Sequence, residues 1–226
     1  MSAAKSLFRT PAILSTAIAL ALAPAGTCAQ APHTRHHSFA GAQQWSAHFD
    51  DPKRDAWQKP HEVLTALAPR PDARVADIGS GTGYFAVRLA HHVPRGRVYG
   101  VDLEPDMVKH LGERAKQAGL TNVTPILGTP ESPKLPGKVD LVLMVDVFHH
   151  LSERRRYLEN LKASIAPKGR VAIIDFNASS PIGPPPPERI SAENVKAELA
   201  AAGYAVVAEH TFLPRQYFLV FTPGAP

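Results

Sequence analysis

Five consecutive apolar residues, Leu141, Val142, Leu143, Met144 and Val145, sit inside the stretch 139–145. A strand with one wet face alternates apolar and polar side chains, so an uninterrupted run needs cover on both faces. That requirement points to the middle of a parallel sheet sandwiched by helices. The flanking sequence supplies the layers. Residues 74–78 form a short β-branched run, 84–92 a helical stretch, 96–101 a strand and 105–118 a helix with Met107, Val108, Leu111 and Ala115 on one stripe. Residues 122–127 read as a strand again. Ser152 is expected to cap a helix reaching Ala166, closed by Pro167-Lys168-Gly169 before a strand over 170–176.

Strand and helix thus alternate five times, which implies right-handed crossovers. The end of the chain breaks this rhythm. Residues 181–187 hold five prolines and Gly183 and must be an extended loop. Ser191 opens a helix that Gly203 ends, and strands over 204–212 and 217–222 are joined by only Leu213, Pro214, Arg215 and Gln216. So short a link folds back antiparallel. The expected architecture is α/β: a Rossmann-like, doubly wound, seven-stranded mixed sheet, mostly parallel, with an antiparallel C-terminal hairpin at its edge.

Chemistry concentrates at Asp77-Ile78-Gly79-Ser80-Gly81-Thr82-Gly83-Tyr84. Glycines between a strand and a helix let the backbone approach a ligand where a Cβ would block it. Asp102, 19 residues beyond Gly83, closes the next strand, where a carboxylate accepts hydrogen bonds from both hydroxyls of a ribose. Together these indicate an adenosine cofactor. A dinucleotide would bring an anionic pyrophosphate to the helix start, and Asp77 would oppose it. A cofactor carrying an amino acid would not meet that repulsion.

This segment resembles the first motif of the class I S-adenosylmethionine-dependent methyltransferases. Within them the chain, over residues 45–221, is similar to small-molecule enzymes of the ubiquinone and menaquinone type. Further matching stretches are Val101-Asp102-Leu103-Glu104-Pro105, Asp140-Leu141-Val142-Leu143, Asp146-Val147-Phe148-His149-His150-Leu151 and Ala166-Pro167-Lys168-Gly169-Arg170. The resemblance implies S-adenosyl-L-methionine as cofactor. Asp77, Gly79, Ser80, Gly81 and Gly83 would hold its methionine portion, Asp102 its ribose, and Leu103 would stack on adenine. Tyr84 would sit beside the cofactor or simply pack. Where the family often places an acid against the adenine amino group, this chain has Gly128 and Thr129. Asp146 would line the cofactor site.

Such a reaction is an in-line displacement at an activated methyl group, so the protein supplies alignment and, for a protonated nucleophile, a base. Asp146 and His149 follow the buried run at the carboxyl end of the sheet, where open α/β folds bind ligands. Histidine titrates near neutral pH and is the candidate base. Asp146, Asp175 and Asn177 resemble the magnesium ligands of catechol O-methyltransferases. Phe176, however, separates the last two, which are adjacent in that family, and no metal is expected. The aromatic and polar stretch from Trp45 to Pro60 reads as a cap or lid. With the proline-rich loop and the C-terminal hairpin it would enclose a small-molecule methyl acceptor, and Trp57, Arg54, Arg189, Gln216 and Tyr217 are the candidate contacts.

Lys5 and Arg9 precede an apolar stretch over 12–23, and Thr27-Cys28-Ala29 offers a cleavage site before Gln30. The reading is an export signal over 1–29, a leader and lid over 30–60 and the cofactor-binding domain over 61–226. A periplasmic or secreted location follows, or membrane anchorage if the signal is retained. A stretch of twelve residues is too short to span a bilayer as a mature transmembrane helix. The net charge of +5 falls to +3 without the two signal cations, Lys5 and Arg9, which is no nucleic-acid footprint. Cys28 is the only cysteine, so residues 30–226 have no thiol for disulfide, zinc or redox chemistry. Two other readings stand beside the methyltransferase: a non-catalytic binder of an adenosyl ligand, and an NAD(P)-dependent oxidoreductase that Asp77 disfavours.

Overall fold

The computed structural model describes Met1 and residues 41–224. Apart from Met1, the expected export signal over 1–29, with Cys28, lies outside the described residues, as does the leader up to residue 40.

Seven strands form one sheet in the order β3-β2-β1-β4-β5-β7-β6: β1 (Arg74–Ile78), β2 (Arg97–Asp102), β3 (Val123–Leu127), β4 (Val139–Val145), β5 (Ile165–Phe176), β6 (Tyr204–His210) and β7 (Gln216–Pro223). All neighbouring pairs from β3 to β5 are parallel. β7 runs antiparallel to both β5 and β6, and β6 is the outer edge. The seven-stranded mixed sheet is therefore as the sequence predicts. β4 lies at its centre, and Val139 and Leu141 through Val145 are all buried. One core packs on each face. Leu141, Leu143 and Val145 join Phe85, Leu89 and Phe218 on one side, while Val142 and Met144 join Phe148, Leu158, Leu161 and Leu199 on the other. This alternation within a wholly apolar run is what two-sided cover requires.

The helices are α1 (Ala42–Phe49), α2 (Asp55–Gln58), α3 (Pro60–Leu67), α4 (Tyr84–His92), α5 (Pro105–Gln117), α6 (Arg154–Lys162) and α7 (Ala192–Ala201). On α5, Met107, Leu111 and Ala115 are buried, as their helical spacing implies, and Val108 is half-buried. Ser191 caps α7 by accepting the Asn194 N–H at 3.2 Å. Ser152 does not cap α6. That helix begins after Glu153 and ends at Lys162, short of the expected Ala166, because Ile165 already pairs with Val139 in β5. Here ladder pairing overrides helical propensity: Pro167-Lys168-Gly169 lie within β5 and not in a turn before it, and the register shifts between Val139 and Leu141 to accommodate the extra residues. Among the described residues no helix is long and apolar enough to cross a membrane.

Candidate functional site

The site forms at the carboxyl ends of β1, β2, β4 and β5. Gly79, Gly81 and Gly83 all have positive φ, of 70°, 52° and 93°. Side chains are strained in that region, and space is also lacking. A Cβ on Gly79 would lie 2.2 Å from Val147, and one on Gly83 2.5 Å from Leu111. The loop is fastened to β2 by Gly79 and Ser80 amides donating to the Val101 carbonyl at 2.8 and 3.0 Å. Asp102 then accepts the Gly81 N–H at 2.8 Å and the Glu104 N–H at 3.0 Å, which sets its carboxylate beside the loop. Burial holds its pKa above the usual carboxylate value against those amides.

Asp77 is 3% exposed, and its Oδ2 has no hydrogen-bond partner among the described residues. Burial raises its pKa to about 7, with the Arg54 charge opposing. An unsatisfied carboxylate oxygen beneath a glycine loop is costly unless a donor reaches it. The ammonium of an amino-acid ligand is such a donor, so the cradle suits the methionine portion implied by the sequence. Leu103 is exposed beyond Asp102, and the Gly128 N–H donates to the Asp102 carbonyl at 2.9 Å. Thr129 is turned into a local bridge with Ser132.

β4 ends in a second cluster. Asp146 has a φ of 58°, an uncommon conformation for a side-chain-bearing residue. Its Oδ1 accepts the Gln216 amide at 2.6 Å, and its Oδ2 lies 3.7 Å from Arg54. Burial, then the Asp175 charge, raises the Asp146 pKa to about 7. The short helical turn Phe148–His150 follows. It buries His149, whose Nδ1 sits 2.8 Å from both carboxylate oxygens of Asp175. The His149 amide also donates to Asp175 at 3.2 Å. Burial by itself would lower the His149 pKa. The hydrogen bond and charge of Asp175 outweigh it, so the pKa is raised. A carboxylate on Nδ1 keeps the proton there and leaves Nε2 as the basic nitrogen.

Asp175 therefore partners His149. Asn177 accepts from the Ser179 hydroxyl at 3.0 Å, and among the described residues no three acids, histidines or cysteines cluster as metal ligands.

The segment before β1 covers this rim. α1, the turn Pro52–Arg54 and α2 lie across the glycine loop, with Phe49 3.5 Å from the Cβ position of Gly81. Arg54 stacks on the Tyr84 ring at 4.0 Å, and its guanidinium donates to Gln58 at 3.2 Å and to the Phe49 carbonyl at 3.0 Å. Gln58, fully buried, donates to Gln216 at 2.6 Å. A continuous polar chain thus runs from the cover through Gln58 and Gln216 to Asp146. Tyr84 donates to Asp55, which also pairs with Arg88 at 3.1 Å, and Asp50 pairs with Arg114 of α5 at 2.7 Å. Trp57 rests between Phe176, 5.9 Å away, and the guanidinium of Arg215, 5.6 Å away. Tyr217 is half-buried across from Asp175, with its hydroxyl unpartnered among the described residues. Arg189 is not brought to the rim as an anchor. It donates to the carbonyls of Asn177, Ala178, Ser180, Ile182 and Pro184 and braces the proline-rich loop.

The model of the family described as a methyltransferase domain matches residues 75–169. The crystal structure of a SAM dependent methyltransferase from Aquifex aeolicus superposes with a TM-score of 0.73 at 30% identity, over 79% of this chain and 96% of that one. This chain belongs to the S-adenosylmethionine-dependent methyltransferases. Among the curated relatives of this methyltransferase, the release factor glutamine methyltransferase of Moorella thermoacetica is 34% identical over 93 residues, 41% of this chain and 33% of the relative. The demethylmenaquinone methyltransferase of Thermus thermophilus is 28% identical over 132 residues, 58% of this chain and 56% of that one. The matches thus span between a third and somewhat over half of these two relatives. The names on the two describe different acceptors, so membership in the family leaves this methyltransferase's acceptor open.

Two members of the site are not singled out in the sequence. Gln58 and Asp55 lie in the unusual stretch before Pro60, but only folding shows that one is buried against Gln216 and the other bonded to Tyr84. Asp175 was conspicuous as an acid ending a strand, and its role toward His149 depends on how the turn after β4 closes over β5.

Proposed function

We propose that this methyltransferase binds S-adenosyl-L-methionine across the glycine loop and transfers its methyl group to a small molecule held beneath the cover. The observation that carries the reading is the unsatisfied buried oxygen of Asp77 under a loop whose Gly81 amide is tied to Asp102. Asp77 and the Gly79–Gly83 backbone would hold the methionine portion, and Asp102 the ribose hydroxyls. When bound, the cofactor supplies a sulfonium-activated methyl group and needs no further activation. The chain's own residues then align the acceptor and manage its proton. His149, held on Nδ1 by Asp175, takes a proton at Nε2 from an acceptor hydroxyl or amine. Deprotonation increases the nucleophile's electron density as the bond to carbon forms. Asp146, adjacent in the same loop, helps stabilise the resulting imidazolium. Trp57, Phe176 and Tyr217 would wall the acceptor, while Arg54 and Gln216 hold the cover against Asp146.

The test is calorimetric titration of the full chain with S-adenosylmethionine, S-adenosylhomocysteine and NAD, followed by a methyl-acceptor screen. Micromolar binding of both sulfur nucleotides and none of NAD is expected. Binding without turnover on any acceptor would move the protein to the class of adenosyl-ligand binders, and NAD binding would overturn the cofactor. We also propose export, supported by the basic residues and apolar stretch before Gln30. N-terminal sequencing of protein from fractionated cells tests this, with Gln30 as the expected first residue.

A further inference from the structure

The amino ends of β1 and β2 carry a second candidate site. Arg74 begins β1 and Arg97 begins β2, and the two are register partners in the parallel pair. Neighbouring strands run about 4.8 Å apart, so two guanidinium side chains start side by side. Like charges in that relation destabilise a sheet. Arg95 adds a third, brought close because Gly96 lets the turn press on β1: a Cβ there would stand 2.0 Å from the Ala73 carbonyl oxygen. With Asp72 and Tyr99 these residues line a cavity of about 430 Å³. Arg97 spends one donor on the Thr121 carbonyl at 3.1 Å. The side chains of Arg74 and Arg95 have no hydrogen-bond or ion-pair partner among the described residues. The nearby acids are already engaged. Asp72 pairs with Arg70 at 3.2 Å, and Asp140 accepts the Arg74 amide at 2.8 Å while facing Arg70 at 3.7 Å.

We propose that this cavity binds a small anion carrying two or more phosphate groups. Guanidinium groups match phosphate oxygens two donors at a time, and three of them around one hollow favour a multiply charged ligand over a single carboxylate. The ligand's charge would offset the repulsion between Arg74 and Arg97. The site faces away from Asp77 and His149, across the length of the strands, so it stands independently of the methyl-transfer reading.

The probe is inorganic diphosphate, titrated calorimetrically into the full chain at fixed ionic strength, with sulfate as the competing ion. Micromolar 1:1 binding is expected, weakened at least tenfold in the Arg95→Gln/Arg97→Gln double variant. The thermal unfolding transition of the same variant, read by circular dichroism, should stay within a few degrees of the parent's and reports that the fold is intact. The proposal fails if diphosphate does not bind below a millimolar dissociation constant. It also fails if the variant binds diphosphate as the parent does, which would place the anion at the glycine loop or elsewhere. Equal displacement by sulfate would reduce the cavity to unspecific charge attraction and overturn it as well.

Discussion

The two ends of the same strands are built on opposite electrostatic terms. At the carboxyl ends of β1, β2, β4 and β5 stand Asp77, Asp102, Asp146 and Asp175, buried or nearly so, and burial lifts the pKa of the first three. At the amino ends of β1 and β2 stand Arg74 and Arg97, exposed to water. Exposed cations keep their hydration and cost the fold little. Buried acids lose it, and are retained only where a partner or a ligand returns the interaction. The contrast teaches that most of the stability given up lies at one rim, where the glycine loop and Asp146 also adopt left-handed backbone, while the repulsion between Arg74 and Arg97 at the other stays small because water screens it.

The sharpest way to break the comparison is Asp175→Asn. An amide cannot hold the proton on His149 Nδ1 as the carboxylate does, so kcat should fall by about 1,000-fold, roughly 4 kcal/mol. S-adenosylhomocysteine affinity should stay within about threefold, because Asp175 touches none of the cofactor cradle. A proportionate loss of affinity would show that Asp175 shapes the whole rim rather than the base. Next in size, Asp102→Ala removes the acceptor for the Gly81 amide and for a ribose. A loss of about 100-fold in cofactor affinity by calorimetry is expected, near 3 kcal/mol.

The buried acids also predict a stability profile. Asp77 is raised from 3.8 to about 7, so the folded state binds a proton that the unfolded chain releases between those values. Stability of the ligand-free protein should therefore be highest, for this group, below pH 4, and fall as pH rises toward 7. Asp77→Asn should remove that slope and stabilise the ligand-free protein at pH 8 by about 1–3 kcal/mol, below the limit of about 4 set by the shift. Urea denaturation of both proteins at pH 5 and pH 8 checks it, and the same variant should bind the cofactor less well. His149 contributes oppositely in origin but with the same sign. Its raised pKa adds stability that is complete below 6.5 and lost as pH climbs through the folded value.

Smaller effects sharpen the contrast. Arg54→Ala removes the guanidinium that faces Asp77 and Asp146 and, within the cover, bonds Gln58 and the Phe49 carbonyl. Cofactor affinity should drop about tenfold, and proteolysis should cut residues 50–59 faster. At the other rim Arg97→Gln should change stability by less than about 0.5 kcal/mol, or raise it slightly by relieving Arg74. A large loss there would mean that the arginines hold the sheet together.

Local sequence marks the elements because burial on two faces and helical spacing leave patterns within a few residues. The β4 run, the α5 stripe, the Ser191 cap and the glycine loop are of this kind, and the structure places each where the sequence does. The missed boundary at α6 had another origin, since Ile165 belongs to β5 only because Val139 is there to pair with it. The rim follows the same division. The pattern that singles out Asp77, Asp102 and the glycines is local, because a strand-loop-helix turn and the strand after it present them over a short span. Arg189 looked like an anchor, and its five carbonyl partners depend on the path of the proline-rich loop.

What the sequence determined by itself was the layered α/β sheet, its order of elements and the glycine loop after β1, since each follows from periodicity and backbone sterics. Only the tertiary structure decided which polar groups meet. His149 finds Asp175 across 26 residues, Gln216 finds Asp146 across 70, and Gln58 reaches Gln216 across 158. No local pattern encodes such pairs. They arise because sheet order sets β4, β5 and β7 side by side and the cover closes over their ends, and a buried donor or acceptor then takes the partner that geometry brings.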